Sequence, residues 1–416
     1  MISPVCAKDL PLPLNPRLAR IDVNPFTRLR ALLDGTPPRA NLPHVLMHLG
    51  EPQHEPPPQV ARIIADSAHL WNQYPPMWGT PAYRDACAGW LTARYRLPAG
   101  MITGDRHVLS LNGTKEGLYL VAALVVPQDK GGKAPVVLMP NPYYLVYNGA
   151  AAMAGAESVF LDATRETAFL PDLDAIPEAV LARTALFYLC SPGNPQGAIA
   201  DLAYLKRAIA LARAYDFVLA VDECYCEIYD RAPPPGALEA CAALGGDLRN
   251  VLVFHSLSKR SNGAGLRCGF VAGDADLIAA FTQLRGFGGA QVPLPIQAAA
   301  TWLWRDEAHV EANRVLYRRK FDVAERILAG SFGFYRPPGG FLLWLDVGDG
   351  EAAARRLWRE AAVRTLPGAY TARADARGEN PGRPYIRVAL VHDDAIIEAG
   401  LTRMVKLLGQ GERQWR

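Results

Sequence analysis

From about residue 107 the chain alternates short runs of β-branched and apolar residues with longer segments of helical periodicity. The predicted strands are His107 to Leu111, Val136 to Met139, Ser158 to Leu161, Ala185 to Cys190, Phe217 to Val221, Val251 to His255 and Leu266 to Ala272. Between several of them, as at 116–126 and 202–215, apolar residues recur every three or four positions, which predicts helices. Strands that are apolar along their whole length are typical of a sheet covered on both faces. The alternation predicts an α/β fold with a mostly parallel, seven-stranded sheet.

The pattern changes after Pro293, where long helical segments (296–306 and 308–328) precede a short strand at 385–389 and a final amphipathic helix. This change predicts a second, smaller α+β domain. The first fifty or so residues are rich in proline and irregular, so we expect them to pack against the C-terminal part. We therefore predict an N-terminal arm with part of the small domain at 1–55, a large domain at 56–293, and the C-terminal small domain at 294–416.

Composition excludes several function classes. The 44 basic residues balance 41 acidic ones without long blocks of either sign, which argues against a nucleic-acid or membrane-surface binder. The longest apolar run, Leu118 to Val126, is far shorter than the roughly 20 residues that a bilayer span needs. Seven cysteines without a CxxC pair fit reduced thiols rather than a disulfide framework or a metal site. We therefore expect a cytoplasmic protein with a small-molecule partner and no metal.

In an open α/β sheet, ligands bind outside the carboxyl ends of the strands. The run after 251–255 is Ser256-Leu257-Ser258-Lys259, and Arg267 follows eight residues later. Burial lowers the pKa of a lysine, which favours an amine nucleophile that forms a Schiff base, and the hydroxyls and guanidinium beside it suit a phosphate. The alternative for this segment alone is a surface Lys and Arg at a loop.

Three further loops carry polar residues where predicted strands end. Asp222 and Tyr225 follow 217–221, and Asn194 lies in a proline- and glycine-rich turn after 185–190. Each alone is typical of a helix cap or a turn. The segment 110–116 lies between a strand and a helix, where free backbone amides bind anions. It matches neither GxGxxG nor GxxxxGK[ST], so dinucleotide and nucleoside-triphosphate binding are disfavoured.

Together these residues resemble the class I/II aminotransferases, pyridoxal-phosphate enzymes of the aspartate aminotransferase fold. The resemblance rests on Asn194 in Ser-Pro-x-Asn-Pro-x-Gly, Asp222 with Tyr225, Ser-x-Ser-Lys at 256–259 and Arg267. It extends from Gly50 to Arg387. Within the family, segments 222–229 and 256–262 are most similar to N-succinyldiaminopimelate aminotransferases. The resemblance implies fold type I of the PLP-dependent transferases.

The resemblance also implies residue roles. Lys259 would hold pyridoxal 5'-phosphate as a Schiff base and move the substrate proton. Asp222 would pair with the pyridinium nitrogen, and Tyr225 and Asn194 with the phenolate oxygen. The phosphate would be bound by Gly113, Thr114, Lys115, Ser256 and Arg267, and Tyr74 would reach the phosphate in the active site of the partner subunit. Tyr144 or the adjacent Tyr143 would stack on the cofactor ring. The substrate would be bound by Gly50, Asn194 and Arg387.

The resemblance implies a homodimer with a shared active site, acting on amino-acid and 2-oxo-acid substrates. The expected reaction moves an amino group from glutamate to N-succinyl-2-amino-6-oxopimelate. Alternatives on the same scaffold are an aminotransferase for aspartate, aromatic or other amino acids, or a β-lyase; a non-catalytic binding protein is a remote one. A second arginine that would select short dicarboxylates is not identified, although Arg285 lies near the expected stretch.

Overall fold

A computed structural model describes residues 14–409 of the chain. Its strands are β1 (Val45–Leu46), β2 (Val108–Leu111), β3 (Val136–Asn141), β4 (Glu157–Asp162), β5 (Thr184–Cys190), β6 (Val218–Asp222), β7 (Val251–Ser256), β8 (Gly269–Gly273), β9 (Leu342–Asp346), β10 (Val363–Arg364), β11 (Leu366–Pro367) and β12 (Tyr385–Ala389).

Its α-helices are α1 (Pro25–Leu33), α2 (Gln59–Asp66), α3 (Pro81–Tyr95), α4 (Gly104–His107), α5 (Thr114–Val125), α6 (Leu145–Ala154), α7 (Glu178–Leu181), α8 (Leu202–Ala214), α9 (Ala237–Ala243), α10 (Leu257–Arg260), α11 (Ala275–Gly288), α12 (Leu294–Arg305), α13 (Ala308–Leu328), α14 (Gly350–Ala361) and α15 (Asp394–Leu408).

The large sheet has seven strands in the order β2-β8-β7-β6-β5-β3-β4. β8 runs antiparallel to both of its neighbours, and the other pairs are parallel. Each predicted strand coincides with one of these seven to within a few residues. The prediction of an α/β fold with a mostly parallel, seven-stranded sheet is confirmed.

Alternation along each central strand divides the large core into two layers. In β6, Leu219 and Val221 face one layer, and Val218 and Ala220 face the other. Helix α8 shows why helices cover the sheet: its buried residues Leu205, Ala208, Ile209 and Ala212 recur at helical spacing on one side. Asp201 caps its N-terminus by accepting a hydrogen bond from the Tyr204 amide at 2.7 Å. Both faces of the sheet are thus covered, and the strand ends are left for the polar residues.

A smaller core forms around an antiparallel sheet in the order β11-β12-β9. Helices α14 and α15 and the second half of α13 pack on it, and β1 pairs in parallel with β10. β12 has the same bounds as the predicted strand at 385–389. Helix α12 instead buries Ala299, Leu303 and Trp304 in the core of the large sheet. The division of the chain at 55/56 and 293/294 stays a prediction.

The helices are all too short or too polar to cross a lipid bilayer, as far as residues 14–409 show.

Candidate active site

A cavity of about 570 Å³ opens at the carboxyl ends of β5, β6 and β7. All of the sequence-predicted site residues except Gly113 and Tyr74 line it. The large sheet contributes one wall, and segments of the N-terminal arm and of the smaller sheet contribute the other. The lining residues from outside the large sheet and its loops are Pro25, Phe26, Gly50, Glu51, Leu366, Thr371 and Arg387.

Lys259 lies on α10, directly after β7. Its Nζ donates a hydrogen bond to the carbonyl oxygen of Gly50 at 2.7 Å. Burial of the ammonium is the main cause that lowers the pKa of Lys259 to about 8. A neutral amine is therefore accessible near physiological pH, which is the state that a nucleophile or a general base requires.

Asp222 ends β6, next to the β7 end that leads to Lys259. Its Oδ2 accepts a hydrogen bond from the Tyr147 hydroxyl at 2.8 Å, and its Oδ1 accepts one from the Cys224 amide at 3.3 Å. Burial raises the pKa of the Asp222 carboxyl above its usual value. A cation placed against this carboxylate would offset the cost of its burial, so the position suits a protonated ring nitrogen.

The turn between β2 and α5 forms a cradle for an anion. Gly113 has a φ of +76°, and a Cβ there would lie 2.5 Å from Nη2 of Arg267. Arg267 donates from Nη1 to the Ala264 carbonyl at 2.8 Å and from Nη2 to the Asn112 carbonyl at 3.2 Å. The hydroxyl groups of Ser256 and Ser258 lie 2.9 Å apart on the same side. The start of α5, a guanidinium and two hydroxyls together suit a phosphate group.

Arg387 lies on β12 and is buried. It donates from Nη1 to Oδ1 of Asn194 at 3.2 Å and from Nη2 to the His48 carbonyl at 2.9 Å. Its Nε is buried without a hydrogen-bond partner among the described residues. Burial lowers the pKa of Arg387 from its usual value, and the hydroxyl of Tyr225 acts against this shift. A buried guanidinium with an unused donor suits a carboxylate ligand.

Tyr143 and Tyr144 both line the cavity, but they differ in their partners. The Tyr143 hydroxyl donates to Oδ2 of Asp22 at 2.5 Å, and its ring packs 5.0 Å from that of Phe160. The Tyr144 ring packs edge to face with Tyr147, the residue that bonds Asp222. Among the described residues, the Tyr144 hydroxyl therefore has no hydrogen bond to the N-terminal arm, and its ring packs on the tyrosine that bonds Asp222.

Three residues considered from the sequence lie outside the cavity lining. Gly113 stands behind the cradle, against Arg267. Tyr74 is fully exposed. Arg285 is fully buried, where it donates to the Ser110 carbonyl and pairs with Glu116 at 3.2 Å, so it is not a cavity arginine.

Sequence reasoning missed several cavity residues. Cys224 lines the cavity with its Sγ 3.0 Å from Oγ1 of Thr114, and its place between Asp222 and Tyr225 was a usable signal. The other missed residues lie in segments whose packing against the large sheet cannot be predicted from a local sequence pattern. They are Phe26, Glu51, Leu366 and Thr371. Among the described residues, no cluster of His, Cys, Asp and Glu has the arrangement of a metal site.

Comparison with known proteins agrees with this geometry. The family model described as aminotransferase class I and II matches residues 44–404. The chain is 33% identical over 362 residues to the 4-dedimethylamino-4-oxo-anhydrotetracycline transaminase OxyQ of Streptomyces rimosus, covering 86% of this chain and 92% of that one. It is 30% identical over 376 residues to the LL-diaminopimelate aminotransferase of Moorella thermoacetica, covering 88% and 92%.

Among solved structures, an aminotransferase from Neisseria meningitidis Z2491 superposes with a TM-score of 0.89 at 38% identity, covering 95% of this chain and all of that one. Enzymes of this family and fold depend on pyridoxal 5'-phosphate, act on amino and 2-oxo acids, and are typically dimers. The residues that match the family model include residues from both walls of the cavity. The chain therefore belongs to the class I and II aminotransferases.

Proposed function

We propose that this aminotransferase holds pyridoxal 5'-phosphate on Lys259 and transfers an amino group from glutamate to N-succinyl-2-amino-6-oxopimelate. The observation that carries the cofactor assignment is the meeting of an amine, a buried carboxylate and an anion cradle in one cavity. The substrate assignment is supported by segments 222–229 and 256–262 and by the diaminopimelate substrate in a relative's name.

The residues present fit the cofactor. The cradle at Gly113 leaves no room for a Cβ beside Arg267, which is the close packing expected around a phosphate. Asp222 offers a buried carboxylate where a cationic ring nitrogen would lie, and Tyr144 offers a ring face beside it. Asn194 and Tyr225 supply an amide and a hydroxyl for a ring oxygen.

Bound pyridoxal phosphate supplies an electron sink that stabilises negative charge at the substrate Cα once its proton leaves. The residues of the chain supply the covalent attachment, the proton transfer and the binding of the substrate. Lys259 would hold the cofactor covalently through Nζ until the incoming substrate amine displaces it from that bond, and the freed Nζ would then take the proton from the substrate Cα as a general base. Its lowered pKa lets one amine perform both roles near neutral pH.

Arg387 binds the α-carboxylate of the substrate. Its two terminal nitrogens form the planar pair that a carboxylate matches, and its buried Nε has a free donor. This contact orients the Cα–H bond toward Lys259. Pro25 and Phe26, at the start of α1, add apolar groups to the cavity lining.

LL-diaminopimelate itself is a second candidate substrate. It is favoured because relatives about 30% identical to the chain carry its name. The two candidates share the reacting end and differ only in the acyl group on the distal nitrogen. The cations in the cavity lining of the described residues are Lys115, Lys259, Arg267 and Arg387. Because this proposal assigns them to the cofactor, its phosphate and the α-carboxylate, a distal carboxylate would need another cation, such as one from a partner subunit.

A homodimer with Tyr74 reaching the partner's cavity stays a proposal. Its support is the complete exposure of Tyr74, with Trp71, Met77 and Phe287 also exposed. Mixing Tyr74→Phe with Lys259→Ala subunits would restore one native site per hybrid dimer. A cytoplasmic location likewise stays a prediction.

The test of the cofactor assignment is borohydride reduction of the holoenzyme followed by peptide mapping. We expect the pyridoxyl adduct on Lys259, and an adduct on Lys115 or Lys206 would overturn the assignment. Lys259→Ala should retain weak cofactor binding through the cradle and lose at least about a thousandfold in turnover.

The test of the substrate is a comparison of kcat/KM for N-succinyl-LL-diaminopimelate, LL-diaminopimelate, aspartate and an aromatic amino acid, each with 2-oxoglutarate. Product analysis of the same reactions separates transamination from β-elimination. Because the relative OxyQ is named for a polycyclic substrate, the panel should also contain a cyclic ketone acceptor. A preference for aspartate or the aromatic donor would refute both diaminopimelate candidates and leave the aminotransferase activity intact.

A further inference from the structure

The residue after Lys259 is a buried arginine that points away from the cavity. Arg260 is 2% exposed, and its guanidinium lies 4.9 Å from the Trp304 ring centre and 5.5 Å from that of Trp90. Burial of a guanidinium is strongly destabilising unless the charge is paired. Its partners therefore show what the chain gains from placing a charge there.

Arg260 binds the end of α12. Its Nη1 donates to the Leu303 carbonyl at 2.6 Å, and its Nη2 donates to the Asp306 carbonyl at 3.4 Å and pairs with Glu307. The last carbonyl groups of a helix lack partners within the helix and carry partial negative charge. The guanidinium satisfies them, so α10 is attached to the C-terminus of α12.

The next two residues make further contacts with α13. Ser261 Oγ lies 2.8 Å from Nε2 of His309, and Nδ2 of Asn262 donates to Oδ1 of Asn313 at 3.1 Å. Asn313 in turn donates from Nδ2 to the carbonyl groups of Lys259 and Arg260, at 3.3 and 3.4 Å. Three successive side chains therefore fix the backbone of Lys259 to the junction between α12 and α13.

We infer that Arg260 is a positioning residue for the Lys259 amine. By fixing the Lys259 backbone to the helix junction, it keeps Nζ buried against the Gly50 carbonyl and aimed into the cavity. Without this attachment α10, a helix of a single turn, would leave the amine free to reach water. The inference rests on the proposed role of Lys259, but it concerns a property that the cofactor-free chain already has.

The experiment measures the pKa of the Lys259 amine in the cofactor-free protein, by competitive acetylation at several pH values and mass spectrometry. Arg260→Met keeps an apolar stem between the two tryptophans and removes the guanidinium. We expect it to raise the pKa of Lys259 by about one unit through increased hydration. In the holoenzyme kcat should fall about tenfold while KM changes less than about twofold, since a misplaced amine affects the proton transfer and not substrate binding.

Two variants separate positioning from charge and from general stability. Arg260→Lys keeps the charge without the planar fork, and we expect values between those of the native protein and Arg260→Met. Arg213→Met removes a half-buried arginine in the last turn of α8, which donates to the Asp247 carbonyl, and should leave the Lys259 pKa unchanged.

An unchanged Lys259 pKa and kcat in Arg260→Met, or changes equal to those of Arg213→Met, would overturn the inference. If Arg260→Met does not fold, Asn313→Ala removes the hydrogen bonds to the two backbone carbonyls, and the same shifts are expected from it. A borohydride adduct on another lysine would overturn the proposed function, while the acetylation pKa would still report on Arg260.

Discussion

The two ends of the cavity are built in different ways. At the end proposed for the cofactor, Asp222 ends β6, Lys259 follows the adjacent β7, and Arg267 precedes β8, the next strand in that sheet. At the substrate end, Arg387 comes from the smaller sheet, while Gly50 and Phe26 come from the N-terminal arm. The cofactor end depends on one folding unit, and the substrate end depends on segments that meet only in the complete fold.

The two ends also treat their arginines differently. Arg267 is exposed and bonded to the carbonyls of Ala264 and Asn112 in two loops of the large sheet, whereas Arg387 is buried and bonded across the cavity to Asn194 and to the His48 backbone. Because the two arginines are held by different parts of the fold, cofactor affinity and substrate affinity should respond separately to mutation. Variants at each end of the cavity test that separation.

Asp222→Asn should reduce kcat/KM at least about a thousandfold, because the amide cannot stabilise a protonated ring nitrogen. The amide keeps nearly the same volume and can still accept from Tyr147, so the fold should be retained. The control is Glu51→Gln, which neutralises another carboxylate of the cavity lining and should cost less than about tenfold. Near-native turnover of Asp222→Asn with cofactor bound would contradict the assignment.

Arg387→Lys should reduce kcat/KM about a hundredfold for every amino-acid donor, mainly through KM, because an ammonium cannot make the two-pronged contact. Arg267→Lys should instead weaken cofactor binding, measured by equilibrium dialysis, and leave KM for amino acids nearly unchanged at saturating cofactor. If the two variants raised KM equally, the separation of the two ends would be wrong.

Gly113→Ala should weaken cofactor binding about tenfold, because the new Cβ strains a left-handed turn and displaces Arg267. Gly89→Ala is the matched control, since its Cβ would meet no atom within 4 Å. Cofactor affinity measured by fluorescence titration distinguishes them. An unchanged affinity in Gly113→Ala would remove Gly113 from the cradle.

The smallest effect concerns stability without cofactor. The pKa of Lys259 is lowered to about 8 in the fold, mainly by burial, while the unfolded chain keeps a value near 10.5. Below pH 8 the folded chain carries the full cost of a buried ammonium. Between the two values the unfolded chain binds more protons, so stability rises with pH. Lys259→Met should therefore stabilise the cofactor-free protein below pH 8, and this gain should shrink as the pH rises from 8 to 10.5.

Lys320 is the matched control for this prediction. It lies on α13 outside the cavity lining, with Nζ 2.5 Å from Nε2 of His54, and burial also lowers its pKa to about 8. Lys320→Met should show the same pH-dependent gain in thermal melts while transamination is retained. A pH-independent change in either variant would show that packing, and not protonation, sets its stability.

From the sequence, the residues proposed for the cofactor end could be grouped more directly than those proposed for the substrate end. Each strand of the large sheet has a local apolar signature, and the rule that ligands gather at carboxyl ends is enough to group Lys259 with Asp222. Resemblance supplied Arg387 and Gly50, which no periodicity could place in the same cavity.

The remaining cavity residues depend on tertiary packing. Phe26 and Leu366 enter through the contact between α1 and the β11 segment, whose residues are far apart in the chain. The hydrogen bond that distinguishes Tyr143 from Tyr144 is made to Asp22, a residue of the irregular N-terminal arm. Arg285 was near the expected stretch, but its pairing with Glu116 turns it away from the cavity.

The bond between Arg387 and the His48 carbonyl joins positions separated by 339 residues along the chain. During synthesis the segment around β1 must therefore wait for almost the whole polypeptide to emerge before it can pair with β10. The large sheet, whose strands lie between them, can fold first. Contacts of such long range slow folding. We expect the emerging chain to form the proposed cofactor-binding surfaces before it forms the substrate-binding contacts of Arg387. Catalytic competence would then be the last property gained during synthesis at the ribosome.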